Sequence, residues 1–183
     1  LLKVSKPVRY IGNEYNAVYK DHKDVDVSFA LAFPDVYEIG MSHLGLKILY
    51  HVLNDREDVV CERVFAPWVD MEELMRERKI PLFSLESTTP LADFDIVGFT
   101  LQYEMSYTNI LNMLDLAGIP LKHEERDNTH PLIIAGGPCA FSPEPLADFI
   151  DAFQIGDGEE AIGEIVDVFK EWKQNGAQDR FQL

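Results

Sequence analysis

The sequence predicts an α/β fold: a doubly wound parallel sheet of about five strands with helices on both faces. Three observations predict it. Short apolar segments recur along the 183 residues, and segments with apolar positions at helical spacing stand between them. Five such strand–helix units fit one domain of this length. Proline or a glycine pair directly follows two of the strongest strand candidates, where a strand must become a loop.

The first two dozen residues are polar and irregular, which reads as an N-terminal arm over residues 1–25. Residues 27–33, VSFALAF, form a candidate buried strand, ended by Pro34, which has no N–H to donate. A helix is expected after Ser42 as N-cap, with Leu44, Ile48, Leu49, Val52 and Leu53 as its apolar stripe. A second strand is expected over residues 59–65, and an acidic–basic helix over residues 69–79. Residues 80–85 are a candidate extra strand. The run DIVGFTL, residues 95–101, is a strong third strand, and a helix follows from about Glu104 to Ala117 with Gly118 placed to cap it. Residues 131–135 form the fourth strand, ended by Gly136 and Gly137. After a loop with one candidate helical turn, residues 151–155 make a short fifth strand. The last helix starts near Gly158 and is expected to bury Ile162, Ile165, Val166 and Phe169, an i, i+3, i+4, i+7 set. The domain proper thus spans residues 26–172, and the polar residues 173–183 read as a linker. Five units with right-handed crossovers fit the flavodoxin-like order 2-1-3-4-5.

Composition narrows the function. Thirty-two acidic residues against 16 basic ones give a net charge of −16, a field that repels phosphate backbones and anionic lipid surfaces. Neither nucleic acid nor a membrane surface is therefore an expected partner. No apolar run approaches the roughly 18 residues of a membrane span, and the first residues hold no signal-peptide core. Two cysteines, Cys61 and Cys139, suit a reduced, cytoplasmic setting. The sequence lacks an initial Met, and a piece of a longer protein is the expectation.

In an open parallel sheet, ligands bind beyond the carboxyl ends of the strands, where strand order reverses. Four loops reach that edge. After strand one, Asp35, Tyr37 and Gly40 stand at the spacing D-x-Y-x-x-G; after strand three come Thr100 and Leu101; after strand four, Gly136 and Gly137; after strand five, Gly156, Gly158 and Glu159. Glycines there allow positive φ and let backbone approach a flat or bulky ligand, although turns use glycine for their own geometry too. GDGEEA also matches the dinucleotide fingerprint G-x-G-x-x-A. It sits in the last unit, with no following strand, and its Glu159 and Glu160 would repel a pyrophosphate, so that reading is rejected. His43 and His51 have no neighbouring thiol for a zinc site, and His22, His123 and His130 fall in polar segments, where they are expected to be solvated. No metal ligand and no catalytic residue is assigned. Cys61 reads as a core residue; Cys139, in a glycine-rich loop, is the better candidate for a reactive one. Tyr103, Met105 and Tyr107 either line the ligand face or pack.

The segments RYIGNEYN, FALAFPDVYEIGMSHLGLKILY, ERVFAPWVDME, PLFSLES, DFDIVGFTLQYEMSYTNILNMLDLAGIP, IAGGPCAFSPEPLADFIDAF and IGDGEE together resemble the N-terminal, cobalamin-binding-type domain of a family of uncharacterised bacterial radical SAM proteins. The likeness runs from about Pro7 to Trp172. It implies that cobalamin, if bound, lies over the strand ends. Asp35, Tyr37 and Gly40 would occupy the first corrinoid loop, which in cobalamin proteins reads D-x-H-x-x-G. Thr100 and Leu101 match the serine–x–leucine type loop, Gly136 and Gly137 the double-glycine loop, and Gly156, Gly158 and Glu159 a G-x-G-E turn. Tyr37 replaces the histidine that would give cobalt an imidazole nitrogen, so no histidine–cobalt bond is expected from this loop. The three cysteines of C-x-x-x-C-x-x-C, which hold a radical SAM [4Fe–4S] cluster, are absent. The resemblance therefore implies that the cluster and S-adenosylmethionine belong to a catalytic domain beyond residue 183, the expected partner of this one. The leading expectation is a domain that binds or presents cobalamin. A cofactor-less scaffold or substrate-docking domain is the alternative, and an independent flavin- or nucleotide-binding domain a lesser one, disfavoured by Asp35 and Glu38 where a phosphate would sit.

Overall fold

A computed structural model describes residues 3–177 and Arg180. The sheet has five parallel strands in the order β2-β1-β3-β4-β5: β1 (Val27–Phe33), β2 (Val59–Phe65), β3 (Ile96–Thr100), β4 (Leu132–Gly136) and β5 (Ala152–Gln154). This is the doubly wound order expected from the sequence. The first two strands have the expected bounds, and the last three are shorter or displaced by a residue. A single-turn helix, α1 (Tyr37–Gly40), and α2 (Leu44–Asn54) follow β1; α3 (Val69–Arg78) follows β2, α4 (Tyr107–Ala117) follows β3, and α5 (Gly158–Gln174) closes the domain. Two apolar clusters lie on opposite faces. One gathers α3, α4 and the irregular chain between β4 and β5 against Ala30, Val97, Phe99 and Ile133. The other gathers α2 and α5 against Phe29, Leu31, Ile96 and Ile134. Alternate residues of β1 thus feed opposite cores, as strand geometry requires.

Several local expectations are corrected. Ser42 does not cap α2: its hydroxyl donates to the Ile39 carbonyl, closing the preceding turn, and His43 Nδ1 accepts from the Leu46 N–H at 3.2 Å as the cap. The buried stripe of α2 is Leu46, Tyr50 and Leu53, while Leu44 and Ile48 are exposed. Tyr50 sets that phase, because its hydroxyl accepts from the Val18 N–H of the arm at 2.7 Å. Residues 80–85 are no strand. Pro81 lacks a donor, the Leu82 and Leu85 N–H groups bond the Leu116 and Arg63 carbonyls, and one bridge, Phe83 to Pro90, closes a loop that folds back on itself. The stretch before α4 is a 3-10 turn, Glu104–Ser106, and between β4 and β5 there are two such turns, Pro138–Phe141 and Glu144–Leu146. Gly118 caps α4 at φ +72° as expected, and α5 buries Ile162, Val166 and Phe169 with Ile165 only half-buried.

The arm is held down. Lys20 Nζ donates to the carbonyls of Asn54, Arg56 and Val59, and the His22 ring nitrogen lies 2.8 Å from Glu62, so His22 is not solvated as expected but is paired to a buried carboxylate. Together with residues 80–91 the arm covers the outer edge of β2, whose seven residues are all buried. That disposes of one sheet edge. Arg63 on this strand pairs with buried Glu86 at 2.6 Å and lies 4.5 Å over the Tyr50 ring. Of the linker expected over residues 173–183, α5 takes the first two residues, and residues 178, 179 and 181–183 lie outside the described residues.

Candidate functional site at the carboxyl edge of the sheet

A cavity of about 450 Å³ opens at the carboxyl ends of the strands, on the side covered by α2 and α5. It occupies the reversal point between β1 and β3, where α/β sheets bind ligands. Phe29, Leu31, Gly98 and Ile134 supply its sheet wall, with Leu46 and Leu49 from α2 and Ile162 and Ile165 from α5 facing them. The hollow exists partly because Gly98 brings no side chain to mid-strand: a Cβ there would stand 2.9 Å from the Phe29 ring. The sequence gives no periodic signal for Gly98, because a glycine in an otherwise apolar strand reads only as a weak strand residue.

The mouth is polar and rich in glycine. Thr100, Gly136, Gly137, Gly156, Gly158 and Glu159, all marked from the sequence, line it, and with them stand Gln102, Phe141, Gln154 and Asp157, which were not. Gln102 donates to the Thr100 hydroxyl. Gly137 has φ +115°, and a Cβ on it would meet the Leu101 carbonyl oxygen at 2.9 Å. That approach is tied on both sides: the Leu101 N–H donates to the Gly136 carbonyl at 2.7 Å, and the Leu101 carbonyl accepts from the Cys139 N–H at 3.1 Å. At Gly156 a Cβ would meet nothing, so that rim of the mouth is open.

The other marked residues lie elsewhere. Leu101 is fully buried in the core on the far face of the sheet. Asp35 turns back on its own loop, its carboxylate accepting from the Val36 N–H at 2.7 Å. Tyr37 donates its hydroxyl to Glu14 of the arm at 3.0 Å and packs edge-on against Phe65; burial and that carboxylate raise its pKa. Gly40 is required by packing, since a Cβ would stand 2.3 Å from the Phe65 ring. Arg9 and Lys6 clamp Glu38 of the same loop at 2.9 and 3.0 Å, which lowers its pKa from 4.5 to about 2.

His43 is the titratable ring that sequence reasoning missed here. It lines the cavity and rests 5.3 Å from Phe33. Because Nδ1 accepts from the Leu46 N–H, the neutral ring carries its proton on Nε2, a donor rather than a metal-ligating nitrogen. The spacing D-x-Y-x-x-G-x-x-H held that signal, but only the cap bond gives it meaning. Cys139 is held protonated: its pKa is raised by burial and by neighbouring Glu104. Tyr107 packs against the core beside it, while Tyr103 and Met105 stand out in solvent. Cys61 is buried in the core as expected, and burial raises its pKa far above the ordinary thiol range. Among the described residues no group of three His, Cys, Asp or Glu side chains could hold a metal ion, and no helix is long and apolar enough to cross a membrane.

Comparison with known proteins fits this geometry to a family. A curated relative, an uncharacterized protein of Methanocaldococcus jannaschii, is 25% identical over 131 residues, which are 71% of this chain and 24% of the relative's length. The chain thus aligns with about a quarter of that relative. The family model for the N-terminal part of radical SAM proteins matches residues 45–183. That match takes in α2 from its second residue onward, all strands after the first and every loop at the cavity mouth except the one after β1, and the chain belongs to this family of radical SAM protein N-terminal domains.

Proposed function

We propose that this domain binds a corrinoid at the carboxyl edge of its sheet and presents it to the catalytic domain of a radical SAM protein. The cavity at the β1–β3 reversal point carries the reading. It is lined by apolar side chains inside and by glycine backbone at the mouth, the pattern of a site for a flat ligand with an apolar appendage. The residues fit such a group without a protein ligand to cobalt from the first loop, because Tyr37 stands there and its hydroxyl is committed to Glu14. Gly136, Gly137, Gly156 and Gly158 would let the ligand approach the backbone, Thr100 and Gln102 would offer hydrogen bonds, and Leu46, Leu49 and Ile162 would keep water from its buried end. When bound, a corrinoid supplies a cobalt that accepts and hands on an alkyl group. Presentation is supported by exposed apolar side chains on the same edge: Ile39 and Leu44 after β1, Met105 (82% exposed) after β3, Phe141 (70%) after β4 and Ile155 after β5. Apolar side chains gathered on one edge mark a surface that a partner covers. The [4Fe–4S] cluster and S-adenosylmethionine would belong to that partner, the domain after this one. Unpaired Cys61 and Cys139 support a reducing, cytoplasmic setting.

A scaffold without cofactor is the second reading, favoured by one observation: the first loop is held by the arm through Glu14, Arg9 and Lys6. A flavin mononucleotide or a dinucleotide, whose phosphates would have to sit at the helix N-terminus on this rim, is disfavoured by Asp157 and Glu159 there. Titration with hydroxocobalamin and methylcobalamin, read by corrin absorption, tests the proposal. Gly158→Trp is the control, since a Cβ there makes only ordinary contact with Leu49 at 3.5 Å and the indole would fill the mouth. Saturable binding, lost in a variant of unchanged stability, is the expected result. Absence of binding at the highest soluble cofactor concentration would leave the scaffold reading.

A further inference from the structure

The two edges of the sheet are finished differently. The arm and residues 80–91 bury β2, whereas β5 at the other edge has three residues, none of them buried. Helix α5 turns Ile162, Val166 and Phe169 toward the cluster it shares with α2, and leaves β5 and the adjoining side of β4 only partly covered. The result is a groove of about 510 Å³, with Leu132, Ile134 and Ala152 as its floor and Ala161, Ile165 and Val168 as its helical wall. Val168 is apolar and 52% exposed.

Arg180 stands at the amino end of this groove and is itself buried. Its guanidinium donates to the Asp127, His130 and Pro131 carbonyls and to the Asp151 carboxylate, so the chain leaving α5 is clamped beside the start of β5. Its Nε is buried with no acceptor among the described residues, which marks the clamp as incomplete. The family is the N-terminal part of larger proteins, and the aligned residues make up 24% of the archaeal relative. Most of such a polypeptide lies outside this domain.

We propose that the polypeptide directly following residue 183 lies in this groove and fixes the next domain against the β5 side. Handedness sets the form it takes. The chain between β3 and β4 and between β4 and β5 packs on the face of α3 and α4, but α5 packs on the other. A parallel strand added outside β5 straight after α5 would need a left-handed crossover, seen in only about 2% of cases. The segment therefore covers the groove with its side chains, as a helix or an extended stretch laid on the sheet face, and a carbonyl from it satisfies Arg180 Nε. Docking in this groove needs no corrinoid in the cavity.

The test is hydrogen exchange on the protein that carries both this domain and the one after it. Val168→Arg is compared with Glu73→Arg, a change at another exposed position, on α3 across the sheet. In the parent protein, amides of β5 and of the segment just after residue 183 are expected to be protected. Val168→Arg should speed exchange in both by roughly tenfold or more, with β1 and β3 unchanged and Glu73→Arg silent. Exchange after residue 183 that ignores Val168→Arg would overturn the proposal. So would protection of the groove that fades on dilution, which would assign it to a second copy of the chain.

Discussion

Replacing Gly137 by alanine tests whether the double-glycine loop is shaped by packing as well as by backbone conformation. Gly137 sits at φ +115° and ψ −177°, a region in which a Cβ costs about 1–3 kcal/mol. The new methyl would also press on Leu101, with the carbonyl oxygen at 2.9 Å and the amide nitrogen at 3.1 Å. Leu101 cannot yield, because both its backbone groups are bonded to the β4 loop and its side chain is buried. Overpacking of this kind adds about 1–3 kcal/mol. Gly156→Ala separates the two contributions: φ is +107° and a Cβ meets nothing within 4 Å, so only conformational strain remains. Urea unfolding should therefore show Gly137→Ala less stable than Gly156→Ala by roughly 1–3 kcal/mol, or roughly 2–12 °C in melting temperature. A difference below about 0.5 kcal/mol would refute the claim that Leu101 braces the loop.

Other expectations follow from the same geometry. His43→Ala removes the cap of α2 and should cost about 1 kcal/mol, whereas His43→Asn, a good capping residue, should restore most of it; equal losses would rule out the cap. Arg63→Ala strands buried Glu86 and should destabilise the chain by roughly 3–5 kcal/mol, with Arg63→Met plus Glu86→Leu much milder. The Glu38 clamp has a pH signature. Its folded pKa lies below the ordinary 4.5, at about 2, so its contribution is complete above 4.5 and is lost as pH falls toward 2. Arg9 lies 5.1 Å from the centre of the Trp68 ring, so Trp68 fluorescence should change across that window, and less so in Glu38→Gln. Cys139, held protonated, should react with iodoacetamide at pH 8 more slowly than a free thiol; a faster reaction would contradict the raised pKa.

Strand–helix alternation, visible in runs such as VSFALAF and PLIIA, was enough to specify the sheet, because local hydrophobic periodicity and short connections leave few alternatives to a doubly wound order. Six of the marked residues were found at one cavity mouth for a related reason: loops that follow parallel strands must share an edge, so Thr100, Gly136, Gly137, Gly156, Gly158 and Glu159 converge without any side-chain information. Everything that depended on which way a side chain turns was decided by the tertiary structure. The phase of α2 followed a hydrogen bond from the arm to Tyr50, the burial of Leu101 followed strand alternation on the far face, and Tyr37 was drawn to Glu14 across 23 residues of chain. Such contacts join groups remote in sequence, and no local pattern records them. Gly98 makes the same point from the other side. By itself it is one weak strand residue, and only the ring of Phe29 on the neighbouring strand turns its missing side chain into the wall of a cavity.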